Sequence, residues 1–163
     1  MQIKKTIMSE WFTTKVKYTK TLEDGKLKKI SEPYLFDAVS FTDAESRVYE
    51  KLGESIKGEF DVRSITRTEI HDIFSYDDCG VWHLCKITFE GDEDEKGKTK
   101  KITQTFLVEA ASVKSADTRL KECLEGMVIP YNIKSIALSP LVDIFAYDGD
   151  IVAEFDVEEG ATL

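Results

Sequence analysis

No apolar run in this 163-residue chain approaches the length of a membrane span, and the N-terminus lacks the apolar segment of a secretory signal. A soluble, cytoplasmic protein is the expectation. Histidine is scarce, with only His71 and His83, and the three cysteines are an odd number without ligand spacing. Five residues separate Cys79 from Cys85 where a zinc site has two to four, so neither structural zinc nor a disulfide framework is expected. Glycine-rich phosphate loops, nucleophile elbows and paired-histidine motifs are missing. Asp92-x-Asp94-x-x-Gly97 imitates the start of a calcium loop, but the third acidic ligand is missing and Thr103 stands where a bidentate Glu belongs. These absences lead to an expectation of no catalysis, no cofactor and no metal.

What the chain does contain is one pattern written twice. PYLFDAVSFTDAESRVYEKL (33–52) returns as TFLVEAASVKSADTRLKECL (105–124), displaced by 72 positions. Leu35 answers to Leu107, Ala38 to Ala110, Ala44 to Ala116, Arg47 to Arg119 and Leu52 to Leu124. Trp11 matches Trp82, GKLKKI (25–30) matches GKTKKI (97–102), and the Asp72-Ile73-Phe74 triplet matches Asp143-Ile144-Phe145. Shared packing explains the repeated apolar residues, so only repeated polar features bear on function. Asp37 with Glu109, and Asp72 with Asp143, are such features. Cap, turn or salt-bridge duty is preferred to a catalytic pair, because nothing in the sequence brings them together.

Taken in order, residues 1–10 read as a leader. Trp11 to Lys20 alternates like a strand, with Phe12, Val16 and Tyr18 on one face and Trp11, Thr13, Lys15 and Lys17 on the other. Asp24-Gly25 signals a hairpin turn, and a return strand from Leu27 to about Phe41 places Ile30, Tyr34, Phe36 and Ala38 toward the core. Thr42 and Glu45 suggest a capping box for a helix whose apolar stripe is Ala44, Val48, Leu52 and Ile56. Phe60, Val62 and Ser64 alternate as the next strand, which Thr66 to Phe74 extends. The second copy repeats the plan: Trp82 to Phe89, a longer charged turn at 91–97, a return strand at 100–110, a helix at 113–127, and a strand from Tyr131. The expected fold is α+β: tandem duplicated strand-strand-helix-strand units (11–75 and 81–146) on antiparallel sheet, related by a pseudo-twofold. Residues 147–163 are expected to be an acidic tail, with a final edge strand through Ile151 to Val157 as the alternative.

The net charge of −9 speaks against a uniformly basic nucleic-acid-binding surface, but the charges are segregated. Lys15, Lys17, Lys20, Lys26, Lys28 and Lys29 crowd the first hairpin, and Lys96, Lys98, Lys100 and Lys101 the second. Acid gathers in EGDEDE (90–95) and from Asp148 onward, where six carboxylates meet no Lys or Arg. Lysines with aromatic residues on a strand face suit a single-stranded nucleic acid, whose phosphates need cations and whose bases need flat side chains. Trp11, Tyr18 and Trp82 are the candidate stacking residues, with the core as the alternative place for Tyr18. Lys15, Lys17, Lys26, Lys28, Lys29, Lys86, Lys98, Lys100 and Lys101 are the candidate phosphate contacts. The competing reading is ordinary: hairpin lysines keep strand edges soluble, and a Trp opening a strand caps a core.

WFTTKVKY, GKLKKISEPYLFDAVSFTDAE, GEF and the repeated DIF, spanning Trp11 to Phe145, resemble a family of roughly 150-residue proteins of unknown function from Bacteroides-type bacteria and crAss-like phages. The resemblance implies no catalytic residues. It implies a bacterial or phage-infected cell as the setting, and a role in DNA replication or recombination. The reading is a sequence-tolerant single-stranded-DNA-binding protein, with replication or host proteins as partners of the acidic tail. The alternative is a non-catalytic module that binds a protein or small ligand, or modulates host defence. Oligomerisation is left open, and no membrane partner is expected.

Overall fold

A computed structural model describes residues 2–3 and 9–147. The acidic segment 148–163 lies outside the described residues, as does most of the leader. Among the described residues the fold is α+β, with two helices and two sheets that are mainly antiparallel.

Each half opens with a long hairpin. β2 (Glu10–Thr21) pairs with β3 (Leu27–Ala38), and β6 (Trp82–Glu93) with β7 (Thr99–Glu109). β-branched and aromatic residues favour the extended backbone in β2. The turns that close the hairpins are alike: Gly25 and Gly97 take φ of 82° and 77°, and their amides donate to the carbonyls of Leu22 and Asp94. The expected face of the first hairpin is observed, since Phe12, Thr14, Val16 and Tyr18 lie across from Phe36, Tyr34, Glu32 and Ile30.

α1 (Phe41–Leu52) buries Ala44, Arg47, Val48 and Leu52 at helical spacing. Its cap differs from the expected Thr42–Glu45 box. Ser40 has the extended cap conformation and accepts from the Asp43 amide, while Asp43 accepts from the Val39 amide. The same reciprocal logic operates two residues earlier. α2 (Val113–Cys123) is capped by Ser112 and is shorter than expected; beyond it, Leu124 and Met127 still pack on the core. Ile56 does the same beyond α1.

The strands after the helices, β4 (Phe60–Thr68) and β8 (Tyr131–Ser139), pair with β2 and β6 and form sheet edges. Both depart from the expected alternation at the same place. The β2–β4 register slips between Lys15 and Val16, and the β6–β8 register between Lys86 and Ile87. Ser64 pairs with Lys15 while Val62 pairs with Val16, which leaves Arg63 as the extra residue; Lys134 is its counterpart before Ser135. Ser64 therefore does not share the face of Phe60 and Val62. Val62 and Ile65 face the core while Arg63 and Ser64 are both exposed, and Ile133, Lys134, Ser135 and Ile136 repeat the pattern. A β-bulge of this kind sets two consecutive side chains on one side.

The short DIF strands differ from expectation more deeply. β5 (Asp72–Phe74) is parallel to β7, and β9 (Asp143–Phe145) is parallel to β3, each in the other half's sheet. β1 (Gln2–Ile3) adds to β5. The compact units are thus discontinuous: residues 2–3 with 69–140, and 9–68 with 141–147. In the first unit Phe74, Cys85, Ile87, Phe106, Val108, Ala116 and Leu120 form the core. In the second Val16, Tyr34, Phe36, Val48 and Leu52 do so, and the β9 ring of Phe145 stacks on Phe36 at 4.7 Å. Full burial of a Phe or Leu side chain contributes about 1.5–3 kcal/mol, so these few layers are each unit's main source of stability.

Candidate nucleic-acid interface

Beyond the Tyr18–Ile30 pair, the β2–β3 hairpin continues as a two-stranded arm. Every residue from Thr19 to Lys29 is exposed. Lys20 sits directly opposite Lys28, and Thr19 opposite Lys29. Like charges across a strand pair are destabilising. Among the described residues none of Lys15, Lys17, Lys20, Lys26, Lys28 and Lys29 has its ammonium group in an ion pair. Strand parity places Lys20 and Lys28 on the face that continues the core, and Lys15, Lys17 and Lys29 on the outer face. Both faces of the arm are therefore positive.

Where β4 begins beside β2, a cavity of about 320 Å3 opens at the root of the arm. Lys17, Lys29 and Arg63 supply three cations to its lining, and Glu59 and Asp61 two carboxylates. Tyr18 and Phe60 border it too, but lie with the core residues on the other face of the sheet. The Tyr18 hydroxyl donates to Glu32 at 3.1 Å, while Tyr34 donates to the other Glu32 oxygen at 2.6 Å. Burial, reinforced by that carboxylate, raises the Tyr18 pKa, so the ring stays neutral. Phe60 stacks on Tyr49 of α1 with centroids 5.3 Å apart and packs against the core.

The tryptophans are not where a base could reach them. Trp11 and Trp82 point to the expected face, yet are only 4% and 5% exposed. Their neighbours on that face, Asp37 and Leu35 for Trp11, Glu109 and Leu107 for Trp82, are buried as well. Near the strand starts both sheet faces are packed, and alternation alone cannot distinguish a packed second face from an open one. Tyr18 lies on the core face, as the alternative had it, and is half-buried.

The second hairpin carries lysines without a net positive field. Lys101 lies opposite Glu90, whose carboxylate also accepts from the Thr99 hydroxyl at 2.5 Å. Asp94 accepts from the amides of Lys96 and Lys98. Lys98, Lys100 and Lys101 are exposed among these acids, and Lys86 is half-buried on the outer face. The structure thus separates two hairpins that the sequence made look equivalent. Arg63 and Phe60, together with Lys20, join the site without having been singled out; the Val62-x-x-Ile65 spacing was the available signal for Arg63.

Asp78, Cys79 and Glu109 lie close enough together to suggest a cation site. The hydrogen bonds argue otherwise. Glu109 accepts from the backbone amides of Tyr76, Asp77, Cys79 and Gly80 at 2.7–3.3 Å, and from the Ser75 hydroxyl at 3.2 Å. A ring of N–H donors suits a carboxylate and repels a cation. Burial pushes the Glu109 pKa up, but the amide bonds outweigh it and the net shift is downward. Arg119 engages Asp78 and donates to the Glu109 carbonyl at 2.7 Å. Glu109 therefore holds the 75–80 loop.

The fold and this surface define an α+β protein of two discontinuous units, one bearing a cationic two-stranded arm. The chain belongs to the family described as domain of unknown function DUF4494, which matches residues 10–147. It matches no curated protein and no solved structure. Among the described residues no helix is long and apolar enough to cross a membrane.

Proposed function

We propose that this protein binds single-stranded DNA with little sequence preference, without catalysis, in DNA metabolism of phage or mobile-element type in the host cytoplasm. The observation that carries the reading is the arm, where Lys20 opposes Lys28 and neither is in an ion pair among the described residues. A polyanion relieves that repulsion when it binds. The cavity at the arm's root supports a strand rather than a scattered anion, because Lys17, Lys29 and Arg63 there extend the run of cations that begins on the arm. Resemblance of the Trp11–Phe145 pattern to proteins of Bacteroides-type bacteria and crAss-like phages supports the setting. The acidic residues from Asp148 onward would serve partner proteins and compete with phosphate for the arm. Exposed Val128 and Leu138, at 95% and 66%, favour protein interaction as a second reading.

Anisotropy of a labelled oligothymidylate, titrated with the full chain at two salt concentrations, tests the first reading. Binding that weakens steeply with salt and tightens when 148–163 are deleted supports it. An unchanged anisotropy at low salt, with or without those residues, overturns it.

A further inference from the structure

The repeated β-bulge places cations in a way that packing does not require. In one sheet Lys15 pairs with Ser64, and the extra residue beside it is Arg63; in the other Lys86 pairs with Ser135, and the extra residue is Lys134. In both sheets the bulge turns two consecutive side chains outward between core residues, Val62 and Ile65 in one, Ile133 and Ile136 in the other. Each sheet thereby presents two cations and a hydroxyl on its outer face. Among the described residues none of Lys15, Arg63, Lys86 and Lys134 is in an ion pair. A bulge costs ladder hydrogen bonds and is a common device for re-aiming a side chain. Here it twice brings a second positive charge beside a first, with a serine hydroxyl next to them. Arg63 also lines the cavity at the arm's root, together with Glu59 and Asp61.

We infer that each bulge is an oxyanion site that takes a phosphate group, with Lys15, Arg63 and Ser64 forming one and Lys86, Lys134 and Ser135 the other. The cations supply charge, and the hydroxyl donates a hydrogen bond to a phosphate oxygen. The second site gives the unit with the charge-balanced hairpin a phosphate contact of its own. In its polymeric form the inference rests on the DNA reading, since the phosphate could equally belong to a free phosphate compound.

Two measurements separate those sources. Backbone amide shifts of the full chain are followed by NMR as inorganic pyrophosphate is added. The slope of log affinity against log salt is then measured for oligothymidylate with the wild type, R63Q, K134Q and the arm variant K20Q/K28Q. Pyrophosphate should move the amides of Arg63–Ser64 and Lys134–Ser135, and R63Q and K134Q should each abolish the shifts at their own bulge. Each should also lower the salt slope by about 0.7, the value for one contact with a single strand. If pyrophosphate leaves both bulges unmoved and K134Q leaves the slope unchanged, the inference fails, while a slope lowered by K20Q/K28Q would leave the DNA reading standing. Shifts at both bulges without any oligothymidylate binding would support the oxyanion sites and remove the DNA reading.

Discussion

The Arg119 guanidinium lies 4.1 Å from the centre of the Tyr76 ring. In the other unit Arg47 stands over Tyr147 at 4.3 Å and donates to the Ala146 carbonyl at 2.9 Å. Each tyrosine follows a DIF strand that has joined the other half's sheet, so the stacking fastens the exchanged strand beside the helix that receives it. Burial, with the Cys123 thiol 3.3 Å away, pushes the Tyr76 hydroxyl up to about 12, and it stays neutral under the cation. Replacing Tyr76 by Leu should lower the unfolding free energy by about 0.5–1 kcal/mol, the size of a cation–π contact at a partly exposed site. Arg119→Gln should cost more, about 1–3 kcal/mol, because the Glu109 carbonyl also loses a charged donor. Urea unfolding of the two variants tests the order; equal losses would show that the ring contact carries everything.

Acid should loosen one loop before the rest. The Glu109 pKa is lowered on folding, from about 4.3 in an unfolded chain. Its contribution is therefore complete above that value and drains away as pH falls through the folded pKa. Amide protection factors at Tyr76, Asp77, Cys79 and Gly80 should fall there while the β6 amides stay protected. Glu109→Gln should destabilise by about 1–3 kcal/mol at neutral pH, since the amide group puts a donor among donors, and should remove that acid limb. Persistence of the limb in the variant would assign it to another carboxylate.

Stability and binding should move in opposite directions on the arm. Lys20→Glu replaces a repulsion opposite Lys28 with an attraction, which should stabilise the hairpin by about 0.2–1 kcal/mol. The same change should weaken oligothymidylate binding and flatten its salt dependence. Thermal melts and anisotropy on one variant check both halves. A variant that is more stable and binds equally well would exonerate the arm.

The tryptophans should report stability and nothing about DNA. Because Trp11 and Trp82 are buried, their emission should stay blue-shifted and unquenched when oligothymidylate binds. Trp82→Phe should leave affinity unchanged, and Trp82→Ala should cost about 3–5 kcal/mol of stability. Quenching by the oligonucleotide would contradict the packing seen around them.

Much of this fold could be read locally. Asp24-Gly25 and its echo at Gly97 specify turns through their own φ, and the alternation of Phe12, Val16 and Tyr18 assigns a core face. The stripe Ala44–Val48–Leu52 assigns a helix face. These signals depend on residues within one or two turns of each other, so the chain by itself determined the hairpins, the helices and their order, while the structure decided that the arm keeps its lysines out of ion pairs among the described residues. Tertiary structure alone decided which sheet receives each DIF strand, because the two return strands offer similarly apolar edges. It also decided that Trp11 and Trp82 are covered, since alternation says only that a face exists and not what lies over it. The bulges fall between these cases. Val62-x-x-Ile65 and Ile133-x-x-Ile136 break the two-residue period in the sequence, but only pairing with Lys15 and Lys86 turns that break into two outward cations.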